Sequence, residues 1–160
     1  MWYMELIGIL HDIRSLHNVG SIFRTADGAG IDLLYLCGIT PQPFDRFGRL
    51  QHEFAKTALG SEKNVMWRYE KSITKVIRTL KDKGYRVYAI EQAKGSKKYT
   101  ALSKRERKMK SACIVGNEVS GIPPRVLTQC DAILEIPMRG IKESLNVSVA
   151  FGIVVYELQK

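Results

Sequence analysis

Three cysteines, few acids and no long apolar run set the first limits on this chain. Cys37, Cys113 and Cys130 are odd in number and lack CxxC spacing. They encode neither a disulfide framework nor a metal site; free thiols in a reducing cytoplasm are what the pattern predicts. The longest strongly apolar stretch, Val147 to Tyr156, is about half of the roughly 18 residues that would suggest a membrane span. The opening Met1-Trp2-Tyr3-Met4-Glu5 has no basic segment and an early acid, so it does not read as a secretory signal. Neither GxGxxG nor GxxxxGK[ST] occurs, which leaves a Rossmann-type dinucleotide site and a P-loop unsupported. That absence weighs against an α/β oxidoreductase.

Acids number 16 against 25 lysines and arginines, a formal charge of +9. A basic surface attracts polyanions, and nucleic acid is the commonest such partner. No long basic amphipathic helix is visible at a terminus, so an anionic membrane fits less well. Lys94 to Lys110 holds eight Lys or Arg against the single acid Glu106. A solvated loop and helix would account for that cluster, and so would a phosphate-binding rim.

Length predicts one domain over 1–160, large enough to bury about 70% of the surface of its unfolded chain. Strand-like and helix-like segments alternate. Glu5–Leu10, Ile31–Cys37, Asn64–Tyr69, Tyr85–Ile90, Ala112–Val115 and Ala132–Ile136 read as strands. Helical spacing starts at Asn18, with Val19, Ile22, Phe23 and Ala26 on one face. Leu50–Leu59 reads as a short helix, and Ser72 caps another that Gly84 stops. Pro123 and Pro124 open a further one, and Gly38–Gly48 is a loop. This βα alternation predicts an α/β fold, a mostly parallel sheet with helices on both faces. Val147 to Tyr156 is rich in β-branched residues, and propensity alone favours strand there. Val147, Ala150, Ile153 and Val154 nevertheless fall at helical spacing, with Ser144 or Asn146 as cap.

Three separated segments carry the chemistry: Asn18-Val19-Gly20-Ser21-Ile22-Phe23-Arg24, Ile114-Val115-Gly116-Asn117-Glu118-Val119-Ser120-Gly121, and Ile136-Pro137-Met138-Arg139-Gly140-Ile141-Lys142-Glu143-Ser144-Leu145-Asn146. The second and third each follow a strand, and in open parallel sheets ligands bind outside the carboxyl ends of strands. Gly116 and Gly121 would let backbone approach a ligand, though turn geometry alone explains both.

In order and spacing the segments resemble motifs 1, 2 and 3 of the SpoU/TrmH branch of the SPOUT-class RNA 2′-O-methyltransferases. Lys56-Thr57-Ala58-Leu59-Gly60-Ser61-Glu62 also resembles a stretch of TrmH-like members. The resemblance covers essentially the whole chain. It implies a deep C-terminal trefoil knot, which periodicity and composition would never suggest. It also implies a helix from near Asn146, a homodimer paired through the knotted region, and S-adenosyl-L-methionine bound in the knot loops. Gly116, Ile136, Ser144 and Leu145 would contact that cofactor, largely through backbone, with Glu91 or Gln92 beside it.

The catalytic candidates that the resemblance implies are Asn18, Arg24, Glu118, Ser144 and Asn146. An N-cap would account for Asn146, an exposed loop acid for Glu118, and a surface salt bridge for Arg24. In the family the matching arginine is proposed to activate the ribose 2′-hydroxyl. A guanidinium normally only donates, so Arg24 is either an unusual base or a donor that orients hydroxyl and phosphate. His17 is not required by the family pattern, and Arg46 and Arg49 are available for phosphate contacts. Phe151 and Val155 would supply the dimer interface or else complete the monomer core.

The leading expectation is methyl transfer to a ribose 2′-hydroxyl of tRNA or rRNA. The alternative is a non-catalytic RNA-binding module that keeps the fold.

Overall fold

The computed structural model describes residues 5–160. Seven strands form one sheet: β1 (Leu6–His11), β2 (Leu33–Cys37), β3 (Trp67–Glu70), β4 (Arg86–Ile90), β5 (Lys97–Lys98), β6 (Ser111–Val115) and β7 (Ala132–Glu135). Their order is β3-β2-β1-β6-β4-β7-β5, and every neighbouring pair is parallel. Among the described residues six α-helices accompany it: α1 (Leu16–Ala29), α2 (His52–Ala58), α3 (Ile73–Asp82), α4 (Lys104–Arg107), α5 (Pro124–Leu127) and α6 (Val147–Leu158).

Two cores follow from the period of two in the strands. Leu6 and Leu10 of β1, Leu34 and Leu36 of β2, Tyr88 of β4, and Cys113 and Val115 of β6 face α1, α2 and α6. The alternate positions Ile7, Ile9, Cys37, Val87, Ala89, Ala112 and Ile114 face α3 and α5. Burial on both faces explains the unbroken apolar runs Leu6–Leu10 in β1 and Ala112–Val115 in β6, with His11 and Ser111 the buried polar residues at their ends.

α6 shows why local propensity fails at the C-terminus. Phe151, Val154, Val155 and Leu158 recur at spacings of three and one, and all four are buried in the first core. Asn146 caps the helix, accepting from the Ser148 N–H at 2.9 Å. Tertiary burial and the cap override β-branching. Phe151 fits because Gly8 has no side chain: a Cβ there would lie 3.1 Å from the Phe151 ring and 2.5 Å from Leu34. Phe151 and Val155 therefore complete the monomer core and are not free to form a dimer surface.

Other boundaries also moved. Asn18 is neither the start nor the cap of α1; Ser15 is the cap, its hydroxyl accepting from the Asn18 N–H at 3.2 Å. Gly84, at φ 85°, follows the Lys83 end of α3 as expected. The two-residue β5 has no counterpart among the expected strands, whereas α4 is the helix of the basic stretch Lys94 to Lys110. α4 announces itself through Ser103 and Glu106, a reciprocal capping box at S-x-x-E spacing.

After β1 the chain passes to α1 on one face of the sheet, whereas after β6 it passes to α5 on the other. Because β1 and β6 are neighbours, their departing loops separate and leave a crevice at the carboxyl edge. After β7, residues 136–146 return along that edge to α6, which packs on α1. This path is compatible with the trefoil crossing that the family resemblance implies.

Candidate active site

The crevice opens into a cleft of about 610 Å³. Ile90, Glu91 and Gln92 line it from the end of β4, Val115 to Val119 and Gly121 from β6 and its loop. Leu134, Ile136 and Met138 line it from β7 and beyond, with Glu143 to Val147 and Ala150 opposite. Asn18 contributes from α1. Its size is within the range of small-molecule sites.

At its mouth the three sequence motifs are joined by hydrogen bonds. The Glu118 carboxylate accepts from the N–H groups of Arg14 (2.9 Å) and Ser15 (3.0 Å) and from Asn18 Nδ2 (3.0 Å). Asn146 Nδ2 in turn donates to Asn18 Oδ1 at 3.0 Å. Asn146 Oδ1 accepts from the Ser148 N–H and from Ser148 Oγ at 2.6 Å. Glu118, Asn18 and Asn146 thus form one continuous chain of side chains.

Electrostatics favour an ionised Glu118. Partial desolvation opposes the charge, but the Arg14, Asn18 and Ser15 donors outweigh it and hold the carboxyl below the usual range. Its place beside the first turn of α1 also sets a negative charge against the positive end of the helix dipole.

The motif 2 loop is built tightly. Asn117 Nδ2 donates to the Asp12 carbonyl at 2.8 Å, and its Oδ1 accepts from the Val119 and Ser120 N–H groups. A Cβ on Gly116 would stand 2.6 Å from Ile122 and 2.7 Å from Gly121, so the glycine is there for close packing of the loop. Glu91 Oε2 accepts from the Ile122 N–H at 3.0 Å, and its other oxygen takes the Gln92 N–H. Gln92 Nε2 donates to the Glu143 carbonyl at 2.8 Å. The polar ends of Glu91 and Gln92 therefore tie the two motif loops to β4 as well as bordering the cleft.

Of the expected residues, Asn18, Glu91, Gln92, Gly116, Glu118, Ile136, Ser144, Leu145 and Asn146 all line the cleft. Arg24 does not. It is exposed on α1, six residues beyond Asn18, which places it about 120° around the helix and about 9 Å along it. His17 lies outside the cleft, its ring 2.7 Å from Glu53 on α2. Sequence reasoning missed the Arg14 and Ser15 amides, although a serine three residues before Asn18 is a recognisable cap spacing. It also missed Asn117 as the side chain that shapes the loop. No group of three or more His, Cys, Asp or Glu suited to a metal ion occurs among the described residues.

Similar proteins show the same architecture. The TrmH/SpoU tRNA modifying enzyme of A. aeolicus superposes with a TM-score of 0.82 at 28% identity, over 97% of this chain and 74% of that one. An rRNA methyltransferase of Sinorhizobium meliloti, solved with AdoMet bound, gives 0.86 at 28% identity, over 98% of this chain and 56% of that one. A Staphylococcus saprophyticus protein provisionally assigned as a TrmH-family tRNA/rRNA methyltransferase is 33% identical over 155 residues, 97% of this chain. The chain spans 58% of that relative's length. The pattern of the SpoU rRNA Methylase family matches residues 5–156, and on that near-complete match the chain belongs to this family.

Proposed function

We propose that the protein is an S-adenosyl-L-methionine-dependent RNA methyltransferase that modifies a ribose 2′-hydroxyl of tRNA or rRNA. The observation that carries this reading is the Glu118–Asn18–Asn146 chain, which draws all three family motifs to the mouth of one cleft. The cleft's tight loops and few free charged ends suit a neutral, backbone-read adenosine portion. Gly116, Ile136, Ser144 and Leu145 would hold the cofactor, with Glu91 and Gln92 fixing the loops around it. When bound, it supplies an electrophilic methyl group for a nucleophilic oxygen.

This chain's residues then have to place that oxygen. Collinear approach makes positioning a large part of the rate. Glu118 fixes the first turn of α1, Asn18 fixes Glu118 against motif 3, and Asn146 fixes the start of α6. Arg24 donates to the substrate hydroxyl and its phosphate or accepts the hydroxyl proton. In one chain it stands away from the cleft. A homodimer that lays α1 of one copy near the cleft of the other would shorten that distance. The reading fits a cytoplasmic protein whose thiols remain reduced.

Calorimetric titration with S-adenosyl-L-methionine and S-adenosylhomocysteine tests the cofactor, followed by methyl transfer to purified tRNA and rRNA. Ala150→Trp is the blocking variant, since Ala150 lines the cleft from α6. Gly116→Trp would disrupt the motif 2 loop itself. Binding by wild type that Ala150→Trp loses, with both folded, supports the reading. Absence of binding and of transfer removes it, leaving RNA binding without catalysis. Mapping the methyl group to base or ribose tests the 2′-O position.

A further inference from the structure

Loop 38–51 leaves the carboxyl end of β2, the same sheet edge that carries the cleft. Its tip presents Phe47, 66% exposed, with Phe44 and Leu50 also exposed beside it. The Arg46 and Arg49 guanidinium carbons lie 4.7 and 5.0 Å from the Phe47 ring centroid. Arg46 makes no ion pair among the described residues.

This tip is rigid. Asp45 Oδ1 accepts from the N–H groups of Phe47 (2.8 Å) and Arg49 (3.0 Å), and Asp45 Oδ2 accepts from Arg49 Nε at 2.9 Å. The Asp45 N–H donates to the Arg49 carbonyl, and Gly48 supplies the left-handed residue at φ 76°. Phe44 and Leu50 close the turn with an antiparallel bridge. The base of the loop is fixed as firmly. Buried Thr40 accepts from the Ile13 N–H at 3.1 Å and donates to the Leu10 carbonyl at 3.0 Å. The Ile39 N–H donates to Asp12 at 3.0 Å. Ile13 and Asp12 belong to the short segment that also delivers the Arg14 and Ser15 amides to Glu118.

An aromatic ring held in water by a locked turn contributes nothing to the core. An exposed ring with two guanidinium groups over it does match one ligand chemistry: an unpaired base, which stacks on guanidinium planes and on exposed ring, joined to a phosphate, which pairs with cations. A protein partner would be expected to meet Phe47 with an apolar surface, and the two arginines disfavour that. We infer that the Arg46–Phe47–Arg49 turn holds an unpaired nucleotide of the RNA substrate outside the reacting site. Phe47 and its neighbouring guanidinium planes form the stacking surface, and Arg46 takes a phosphate. The inference rests on the RNA-methylation reading and says where that substrate is gripped.

The test is fluorescence anisotropy of the full chain with a labelled single-stranded RNA of about 12 nucleotides, a length within the footprint range of single-strand-binding surfaces. The same RNA annealed into a duplex is the comparison. Phe47→Ala is expected to weaken single-strand binding about tenfold or more, Phe47→Trp to retain it, and both to leave duplex binding within about twofold. Arg46→Ala should reduce the slope of log affinity against log salt by about 0.7, one phosphate on a single strand. S-adenosylhomocysteine affinity and thermal midpoint should stay at wild-type values in all three. Wild-type single-strand affinity in Phe47→Ala would overturn the inference. So would loss of self-association in place of RNA binding. RNA binding that depends on Phe47 without methyl transfer leaves the inference standing and removes the catalytic reading. Transfer that Phe47→Ala performs at the wild-type kcat/KM does the reverse.

Discussion

The Glu118 carboxylate and the Asn18 side-chain amide, 100 residues apart in sequence, meet at 3.0 Å. The same carboxylate takes the Arg14 and Ser15 N–H groups just ahead of α1. Glu118 is therefore a distant partner of the α1 entry, in addition to the local cap Ser15. Removing it leaves three donors that only water can satisfy. Glu118→Ala should lower stability by about 1–2 kcal/mol, as loss of a helix-entry cap does. Urea denaturation measures it, and a loss below about 0.3 kcal/mol would mean that the contact is not populated in solution.

The ionisation of Glu118 gives this a pH signature. Its folded pKa is depressed, so its contribution is fully present above the ordinary carboxylate value of about 4.3. It is lost as pH falls from there through the folded value. Wild type minus Glu118→Gln stability should then be flat from about pH 5 to 8 and shrink below about pH 4. A difference that grew on acidification would have the wrong sign for a carboxylate stabilised by donors.

Asn146 carries two duties that separate substitutions can divide. Its Oδ1 caps α6 through Ser148, while its Nδ2 reaches Asn18. Asn146→Asp keeps the cap and favours the helix dipole, but turns the amide donor into an acceptor facing Asn18 Oδ1. It should unfold within about 0.5 kcal/mol of wild type while cofactor binding or methyl transfer falls at least about tenfold, the effect of about 1.4 kcal/mol. Asn146→Ala should lose stability as well, by about 1 kcal/mol. Equal activity in wild type and Asn146→Asp would show that the Asn18 contact is incidental.

Phe151 tests where α6 spends its apolar face. Fully buried over Gly8, it should cost about 3–5 kcal/mol on truncation to Ala. The loss should be independent of protein concentration. A destabilisation that grew on dilution, tracked by analytical ultracentrifugation, would return Phe151 to a chain–chain interface.

What the sequence revealed and what it hid divide along physical lines. β1 and β6 were legible because burial on both faces leaves continuous apolar runs. α3 was legible because Ser72, the Ile73–Val76–Ile77–Leu80 stripe and Gly84 all agree. The two-residue β5 has no period to detect: Lys97 and Lys98 pair with β7 through backbone alone. α6 could not be read from propensity because its helical state depends on Gly8 and α1, more than 100 residues away. At the site, residue types were legible through motif order. The Glu118 contacts with main-chain amides were not, since backbone donors leave no mark on residue identity.

Arg24 offers the sharpest separation of chemistry from architecture. It is exposed on α1, with no hydrogen bond or ion pair to a side chain among the described residues. A surface position of this kind changes stability by no more than about 0.5 kcal/mol. Arg24→Ala should therefore fold, melt and bind S-adenosylhomocysteine like wild type, while methyl transfer falls by about a hundredfold or more, the loss typical of a positioned donor or base. Arg24→Lys divides the two roles left open by sequence. A lysine keeps the positive charge but not the planar fork. If Arg24 works by orienting hydroxyl and phosphate together, Arg24→Lys should recover little of the rate at any pH. If it accepts the proton, the lysine amine should do so increasingly as pH rises toward its ordinary pKa of about 10.4, and transfer should climb from pH 7 to 9.5 more steeply than in wild type. Transfer by Arg24→Ala at the wild-type rate would remove Arg24 from the mechanism and leave the Glu118–Asn18–Asn146 chain to position the substrate unaided.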